Sequence, residues 1–270
     1  MLGGLLSLSG GISSAAGPTA ANFLARTSGL DPTHTNAYIT LLNGLDTDGL
    51  TSKLDVLRIL ATQDSTTALL NLISNNFNAA LHGTPTFTAD RGFTGVDSST
   101  FVYIQSNFNP TTATSPNFVQ DSAHIGVWSL TNAASGASGG CAMGLTSNTA
   151  FSMLFPKYND GNVYFRINST NIAGVTNSDG TGFYIANRSA SNAIQGYRNG
   201  SSIFTSSAAS LALVNGQFIE LASNNVTSGV IDTGAGIQAA AFTYGGSLSS
   251  TDVTNLYNRL RIYMTAVGVP

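Results

Sequence analysis

Ala193-Ile-Gln-Gly-Tyr-Arg-Asn-Gly-Ser-Ser-Ile-Phe204 reads as two short strands joined by a two-residue turn. Asn199-Gly200 is the pair a tight hairpin favours, because both central residues of such a turn need positive φ. The same punctuation recurs on either side. Asn159-Asp160-Gly161, Asp179-Gly180 and Asn215-Gly216 separate other short apolar or alternating runs, which is how a chain of short antiparallel strands looks. Candidate strands cover 86–88, 101–104, 124–130, 141–145, 150–155, 162–167, 182–187, 193–198, 202–205, 217–222 and 237–244. Many short strands with frequent turns predict a mainly β, antiparallel sandwich.

The chain closes on a helix, expected over 249–267. Ser249 is an N-cap and Asp252 stands at the capping-box position, with Asp in place of the usual Glu. Val253, Leu256, Tyr257, Leu260, Met264 and Val267 form one stripe at helical spacing, a face that should pack on the sheet. Arg259 and Arg261 point elsewhere, and Gly268 ends the helix. Before the strands, residues 18 to about 75 also read as helical. Asp31-Pro32 is an N-cap followed by proline at the first helical position, and Ala37, Tyr38, Leu41, Leu42 and Leu45 follow at helical spacing. Asp48-Gly49 stops that helix. Leu50, Leu54, Leu57, Ile59 and Leu60 suggest a second helix, and Leu69, Leu70, Leu72 and Ile73 a third behind Asp64 or Ser65.

Residues 1–17, MLGGLLSLSGGISSAAG, have no Lys or Arg and are broken by Gly10-Gly11, unlike a signal peptide. They are read as a flexible or docking arm. The expected organisation is therefore an arm over 1–17, a helical attachment or oligomerisation region over 18–80, and a β domain over 81–270.

Composition narrows the function classes. Of 270 residues, 10 are Lys or Arg and 13 Asp or Glu, so only 9% are charged where about 25% is usual. Glu occurs only at Glu220 and Lys only at Lys53 and Lys157. With a net charge of -3, no basic footprint for nucleic acid is present. No apolar run reaches the length of a membrane-spanning helix, and the lone Cys141 allows no intrachain disulfide. Hydrophobic residues make up 42% of the chain, with 14 Phe and 9 Tyr, enough for a core. The surface is instead made of hydroxyls and amides, as suits a displayed scaffold or a large interface.

Two stretches carry a resemblance. The segment from Ile237 through Gly245-Gly-Ser-Leu-Ser249 to Met264 resembles the end of concanavalin A-like (laminin-G-like) jelly rolls, where an edge strand leads through Gly-Gly-x-Leu-Ser into a helix. Tyr197-Arg-Asn-Gly200 is similar to their Asn-Gly hairpin. Phe23-Leu-Ala-Arg-Thr-Ser-Gly-Leu-Asp31, His34-Thr-Asn-Ala-Tyr38, Leu42-Asn-Gly44, Lys53-Leu-Asp55, Ala61-Thr-Gln-Asp64 and Thr86-Phe-Thr-Ala-Asp-Arg-Gly-Phe93 resemble proteins of tailed bacteriophages and prophages that couple a helical N-terminal piece to such a jelly roll. The resemblance implies a virion structural protein: a head fibre, spike or tail-associated subunit. It implies capsid, portal/neck or tail proteins and further copies of this chain as partners, with assembly in the host cytoplasm. Leu2, Leu5, Leu6, Leu41, Leu42 and Leu45 are the expected assembly residues.

Catalytic signals are weak. Gly136-Ala-Ser-Gly-Gly140 matches Gly-x-Ser-x-Gly but lies in a loop between strands, whereas the nucleophile elbow needs a strand before it and a helix after it. A glycosidase needs two carboxylates about the scissile bond, and Glu220 has no second carboxylate two residues away. It is expected to face solvent. Asp46-Thr-Asp48-Gly49 lacks the remainder of a calcium loop. His34, His82 and His124 have no partner at ligand spacing. No metal or cofactor is expected. Sugar binding asks for aromatic faces and amides near loops. Tyr158, Asn159, Asp160, Tyr184, Asn187, Arg188, Tyr197, Arg198 and Asn199 satisfy that pattern near hairpin ends. The sequons at Asn168, Asn187, Asn199 and Asn225 are expected by chance in an Asn/Ser-rich chain. The leading expectation is a non-enzymatic virion protein whose jelly roll binds host surface glycans. The alternatives are a glycan hydrolase or lyase on the same fold and a secreted bacterial adhesin.

Overall fold

The computed structural model describes residues 14–96, 102–132, 140–232 and 234–270. Around Asn199-Gly200 it forms the expected hairpin, strands Ala193–Arg198 and Ser201–Ser206 pairing antiparallel with Asn199 at φ 50° and Gly200 at φ 82°. In chain order, α1 (Pro18–Leu24) and α2 (Pro32–Thr47) precede β1 (Leu54–Ile59), α3 (Ser65–Ala68), β2 (Ala80–His82), β3 (Thr86–Thr88), β4 (Gly92–Thr94) and β5 (Tyr103–Gln105). The middle of the chain supplies β6 (Ala123–Ser129), β7 (Met143–Thr146), β8 (Phe151–Phe155), β9 (Asn162–Ser169), β10 (Val175–Thr176), β11 (Gly182–Ala190), β12 (Ala193–Arg198) and β13 (Ser201–Ser206). Then follow β14 (Ile219–Glu220), β15 (Ser223–Asn225), β16 (Val230–Asp232), β17 (Gln238–Gly245) and α4 (Ser250–Ala266).

These strands make the two-sheet antiparallel sandwich that the turn pattern and the jelly-roll resemblance predict. The first sheet runs β13-β12-β11-β6-β17-β4-β3, with β1 also paired to β17. The second runs β10-β9-β8-β7-β14-β5-β2, and β15 joins β7 in parallel. A third layer of helices covers the outer face of the first sheet. Strand alternation then explains why β6 is buried at every residue. Ala123, Ile125 and Val127 enter the core between the sheets, while Trp128 joins the core beneath the helices. α4 starts as expected: Ser249 and Asp252 complete a capping box, and Gly268 follows the helix at φ 76°.

Several expectations for residues 18–80 are overturned. Residues 54–59 form a strand, not a helix, and pair with β17 through Val56↔Tyr244 and Ile59↔Ala241. Leu57 and Ile59 face the helical core and Val56 the inter-sheet core, so both faces are apolar. A run apolar on both faces does not reveal its period. The expected third helix shrinks to Ser65–Ala68 behind its Asp64 cap. Because β1 belongs to the first sheet, the 18–80 region is not a separate attachment unit from the β domain. Leu41, Leu42 and Leu45 are buried inside the chain, in one cluster with Leu256, Leu260 and Met264 of α4. Each such leucine contributes about 1.5–3 kcal/mol on leaving water, and none is left for a partner. Leu2, Leu5, Leu6 and the rest of the 1–13 arm lie outside the described residues, as do Phe101 and residues 136–139 of the Gly-x-Ser-x-Gly match.

Glu220 is a further correction. It is 0% exposed and points between the sheets, where it pairs with Arg58 of β1, also 0% exposed. Tyr244 Oη donates to the same carboxylate oxygen at 2.9 Å. Arg58 also donates to the Phe77 carbonyl at 2.7 Å. Burial pushes the Glu220 carboxyl above its ordinary value, against the pull of Arg58 and Tyr244. This pair ties the two sheets together inside the sandwich, out of reach of any substrate.

Candidate functional site at one end of the sandwich

The loops at one end of the sandwich are tied together by amide and lysine contacts. Asn132 Oδ1, just after β6, accepts from Gly180 N at 2.8 Å and from Lys157 Nζ at 3.2 Å. Lys157 also donates to the Ser178 carbonyl at 3.0 Å. Asn177 Nδ2 donates to the Pro156 carbonyl at 2.6 Å, and Asn177 N to the Gly161 carbonyl at 2.8 Å. The 156–161, 177–182 and 199–200 loops therefore meet, bringing Tyr158, Asn159 and Asp160 to the same end as Arg198 and Asn199.

Other expected contact residues are used internally. Tyr184 is fully buried and donates to the Asp179 carbonyl at 2.5 Å. Arg188 is buried and holds the carbonyls of Ile167, Ala190, Ser191 and Ala208. Tyr197 is 2% exposed, in the core beneath the helices. Asn187 is buried, its side chain donating to the Leu248 carbonyl and accepting from Leu248 N. These four are corrections. Sitting near a turn in sequence, they lie on strand faces already covered by the helices or by the other sheet.

The exposed part of the end is charged and aromatic. Arg198 Nη2 donates to Asp179 Oδ2 at 2.6 Å and to the Thr181 carbonyl at 2.9 Å, while its guanidinium lies 5.6 Å from the Tyr184 ring. Hydrogen bonds from Thr181 and then Arg198 hold the Asp179 carboxyl below the usual carboxylate range. Asp160 accepts from Tyr164 Oη at 2.6 Å, which lowers its own pKa and raises that of the tyrosine.

Beside this network lies a hollow of about 240 Å³. Trp128, 2% exposed, forms its floor. Tyr257 of α4 stacks on Trp128 at 5.8 Å and 15°, and the Arg261 guanidinium lies 5.2 Å from the indole. Asn199 and Thr181 line it as well, the Thr181 hydroxyl donating to the Asp179 carboxylate at 2.9 Å. Asn199 Oδ1 accepts from Phe183 N at 2.8 Å, which fixes the amide. A half-buried aromatic face among hydroxyl, amide and guanidinium groups can stack on the C–H face of a sugar and hydrogen-bond its hydroxyls. Tyr257 and Arg261 carry no local sequence signal for this role. Tyr257 reads as part of the apolar helix stripe, and only docking of α4 on the sheet carries it to the hairpin end.

Metal ligation has no support in the geometry: no group of three or more His, Cys, Asp or Glu side chains among the described residues could hold an ion. His34 Nε2 is 2.7 Å from Asp90 Oδ1. His124 is buried in β6, and burial lowers its pKa to about 4. No helix among the described residues is long and apolar enough to cross a membrane.

No family model matches the chain, and no curated protein matches it. Solved structures do resemble it. A structure of botulinum neurotoxin type C, whose cell entry depends on interaction with two ganglioside molecules, superposes with a TM-score of 0.53 at 12% identity, over 79% of this chain and 53% of that one. The botulinum neurotoxin serotype D binding domain gives 0.52 at 11% identity, over 78% and 52%. Domain 4 of AbnA, a GH43 extracellular arabinanase from Geobacillus stearothermophilus in complex with arabinotriose, gives 0.45 at 16% identity, over 76% and 98%. The chain spans about half the length of the neurotoxin chains it matches. At these identities the likeness to the two neurotoxin structures bears on the fold alone.

Proposed function

We propose that this chain is a non-enzymatic, glycan-binding β-sandwich displayed on a tailed-bacteriophage virion. The observation that carries the glycan reading is the hollow at the hairpin end, where Tyr257, Asn199, Thr181 and Arg261 line a space of about 240 Å³. Such a site binds a sugar unit shallowly and weakly. Many copies on one particle raise the overall avidity by roughly 10²–10⁴. Ganglioside dependence in the type C neurotoxin neighbour adds an analogy at the level of the fold. The virion reading rests on the phage-protein resemblance and on a surface with 9% charged residues. Burial of Glu220 with Arg58 favours binding over glycan cleavage.

Two experiments test the reading. Wild-type protein and Tyr257→Ala are titrated with host surface oligosaccharides by calorimetry. Binding that weakens about tenfold or more in the variant is expected, and unchanged binding refutes the hollow as the site. Immunogold labelling of purified particles should decorate a fixed position on the virion, and unlabelled particles refute display.

A further inference from the structure

The outer face of the second sheet, opposite the helical layer, carries a small apolar cluster of its own. Met153 and Phe155 of β8 and Cys141 form its buried part, with Phe151, Tyr158 and Tyr164 packed against them. Alternation on β9 sends Val163, Phe165 and Ile167 into the inter-sheet core and leaves Tyr164 and Arg166 on the outer face. The Arg166 guanidinium lies over three rings, 4.6 Å from Tyr164, 5.5 Å from Phe155 and 6.0 Å from Phe151.

What distinguishes Arg166 is that it donates to no acceptor among the described residues. Arg58, Arg198 and Arg259 are paired with Glu220, Asp179 and Asp48. Arg188 holds backbone carbonyls, and Arg26, Arg91 and Arg261 each donate to at least one. Arg166 Nε is buried with no hydrogen-bond partner, and Arg166 makes no ion pair among the described residues. Burial accordingly lowers its pKa. A chain this poor in ions keeps one guanidinium partly desolvated on an aromatic bed, with Nε enclosed and the terminal amino groups, the side a ligand can approach, bound to no protein acceptor among the described residues.

We propose that Arg166 and the Tyr158–Tyr164 aromatic bed form a second binding surface, specific for a carboxylate-bearing oligosaccharide. A planar carboxylate matches the guanidinium fork in a bidentate pair. A single cation, with Asp160 held on the Tyr164 hydroxyl, suits a singly charged group better than a phosphate monoester, which carries close to two charges, and the flat carboxylate matches the planar fork better than a tetrahedral sulfate ester. The tyrosine rings are half-buried and offer faces to sugar C–H groups. The sugar part of this inference rests on the glycan-binding reading above; the choice of an anion rests on Arg166.

The test is calorimetric titration of the full chain with oligogalacturonate, oligomannuronate and oligosialate, each beside its methyl ester. At least one acid should bind about tenfold or more tightly than its ester. Arg166→Gln should erase that difference, and Arg166→Lys should reduce it. Thermal melting of each variant checks folding, and Arg166→Lys carries the test if Arg166→Gln is unfolded. Equal binding of acid and ester, a difference that survives Arg166→Gln, or tighter binding of sulfated oligosaccharides overturns the proposal. Neutral glycans binding at the hollow with no acid preference would overturn it while leaving the proposed function standing; no glycan binding at all would overturn both.

Discussion

The ion pair between the sheets makes a quantitative prediction. Arg58 and Glu220 are each 0% exposed, and Tyr244 shares the carboxylate. Glu220→Gln keeps the volume and an acceptor for Tyr244 but leaves the guanidinium without a counter-charge. Removing one partner of such a buried pair costs about 3–5 kcal/mol. At about 2–4 °C per kcal/mol for a domain of this size, the melting temperature should drop by roughly 6–20 °C. Arg58→Met strands the carboxylate, which folding can then tolerate only by binding a proton. A folded-state pKa raised above the unfolded value of about 4.3 means that the folded state holds the extra proton. Arg58→Met should therefore be most stable at low pH and lose stability as pH rises through that raised value. The double variant Arg58→Met/Glu220→Gln removes both charges and should be more stable than either single variant near pH 7. Trp128 is the only tryptophan and is buried, so denaturant unfolding followed by its fluorescence reads all four proteins. Strictly additive losses in the double variant would refute the coupling, and with it the view that this pair holds the sheets in register.

Three further outcomes follow from local geometry. His34 is desolvated, but Asp90 and Asp31 outweigh that and raise its pKa; the stability it contributes is full below the unfolded value of about 6.5 and is lost as pH rises through the higher folded value, so the melting-temperature gap between wild type and His34→Gln should narrow on going alkaline. A Cβ at Gly196 would sit 2.3 Å from the Phe165 ring across the sandwich, so Gly196→Ala should cost about 1–3 kcal/mol by overpacking, measured by urea unfolding. Ser249→Ala removes the cap that accepts from Asp252 N and should cost about 1 kcal/mol, seen as a lower melting temperature without loss of the sandwich's circular-dichroism signature.

Local chemistry made much of this molecule legible. Asn199-Gly200, the Ser249/Asp252 box and the Asp48-Gly49 stop act within a few residues, so their energetics are written in neighbouring side chains. The turn-punctuated strands and the final helix could be read for the same reason. β1 could not, because Leu57 and Ile59 bury one face while Val56 and Arg58 bury the other, and such a strand shows no period. Nor could the role of Glu220, whose partner Arg58 lies 162 residues away. For the candidate sites, short range again set the limit. Asn199 announced itself by its turn, and Tyr164 and Arg166 share a strand face that alternation alone could have exposed. Tyr184, Arg188 and Tyr197 looked equally accessible until the helical layer and the opposite sheet covered them. Sequence by itself thus determined the sandwich, its hairpins and its capped helix, all consequences of neighbouring residues. Tertiary packing decided which faces were covered, which charges met in the interior and which aromatic rings stayed near solvent, because burial is a property of layers brought together from distant parts of the chain.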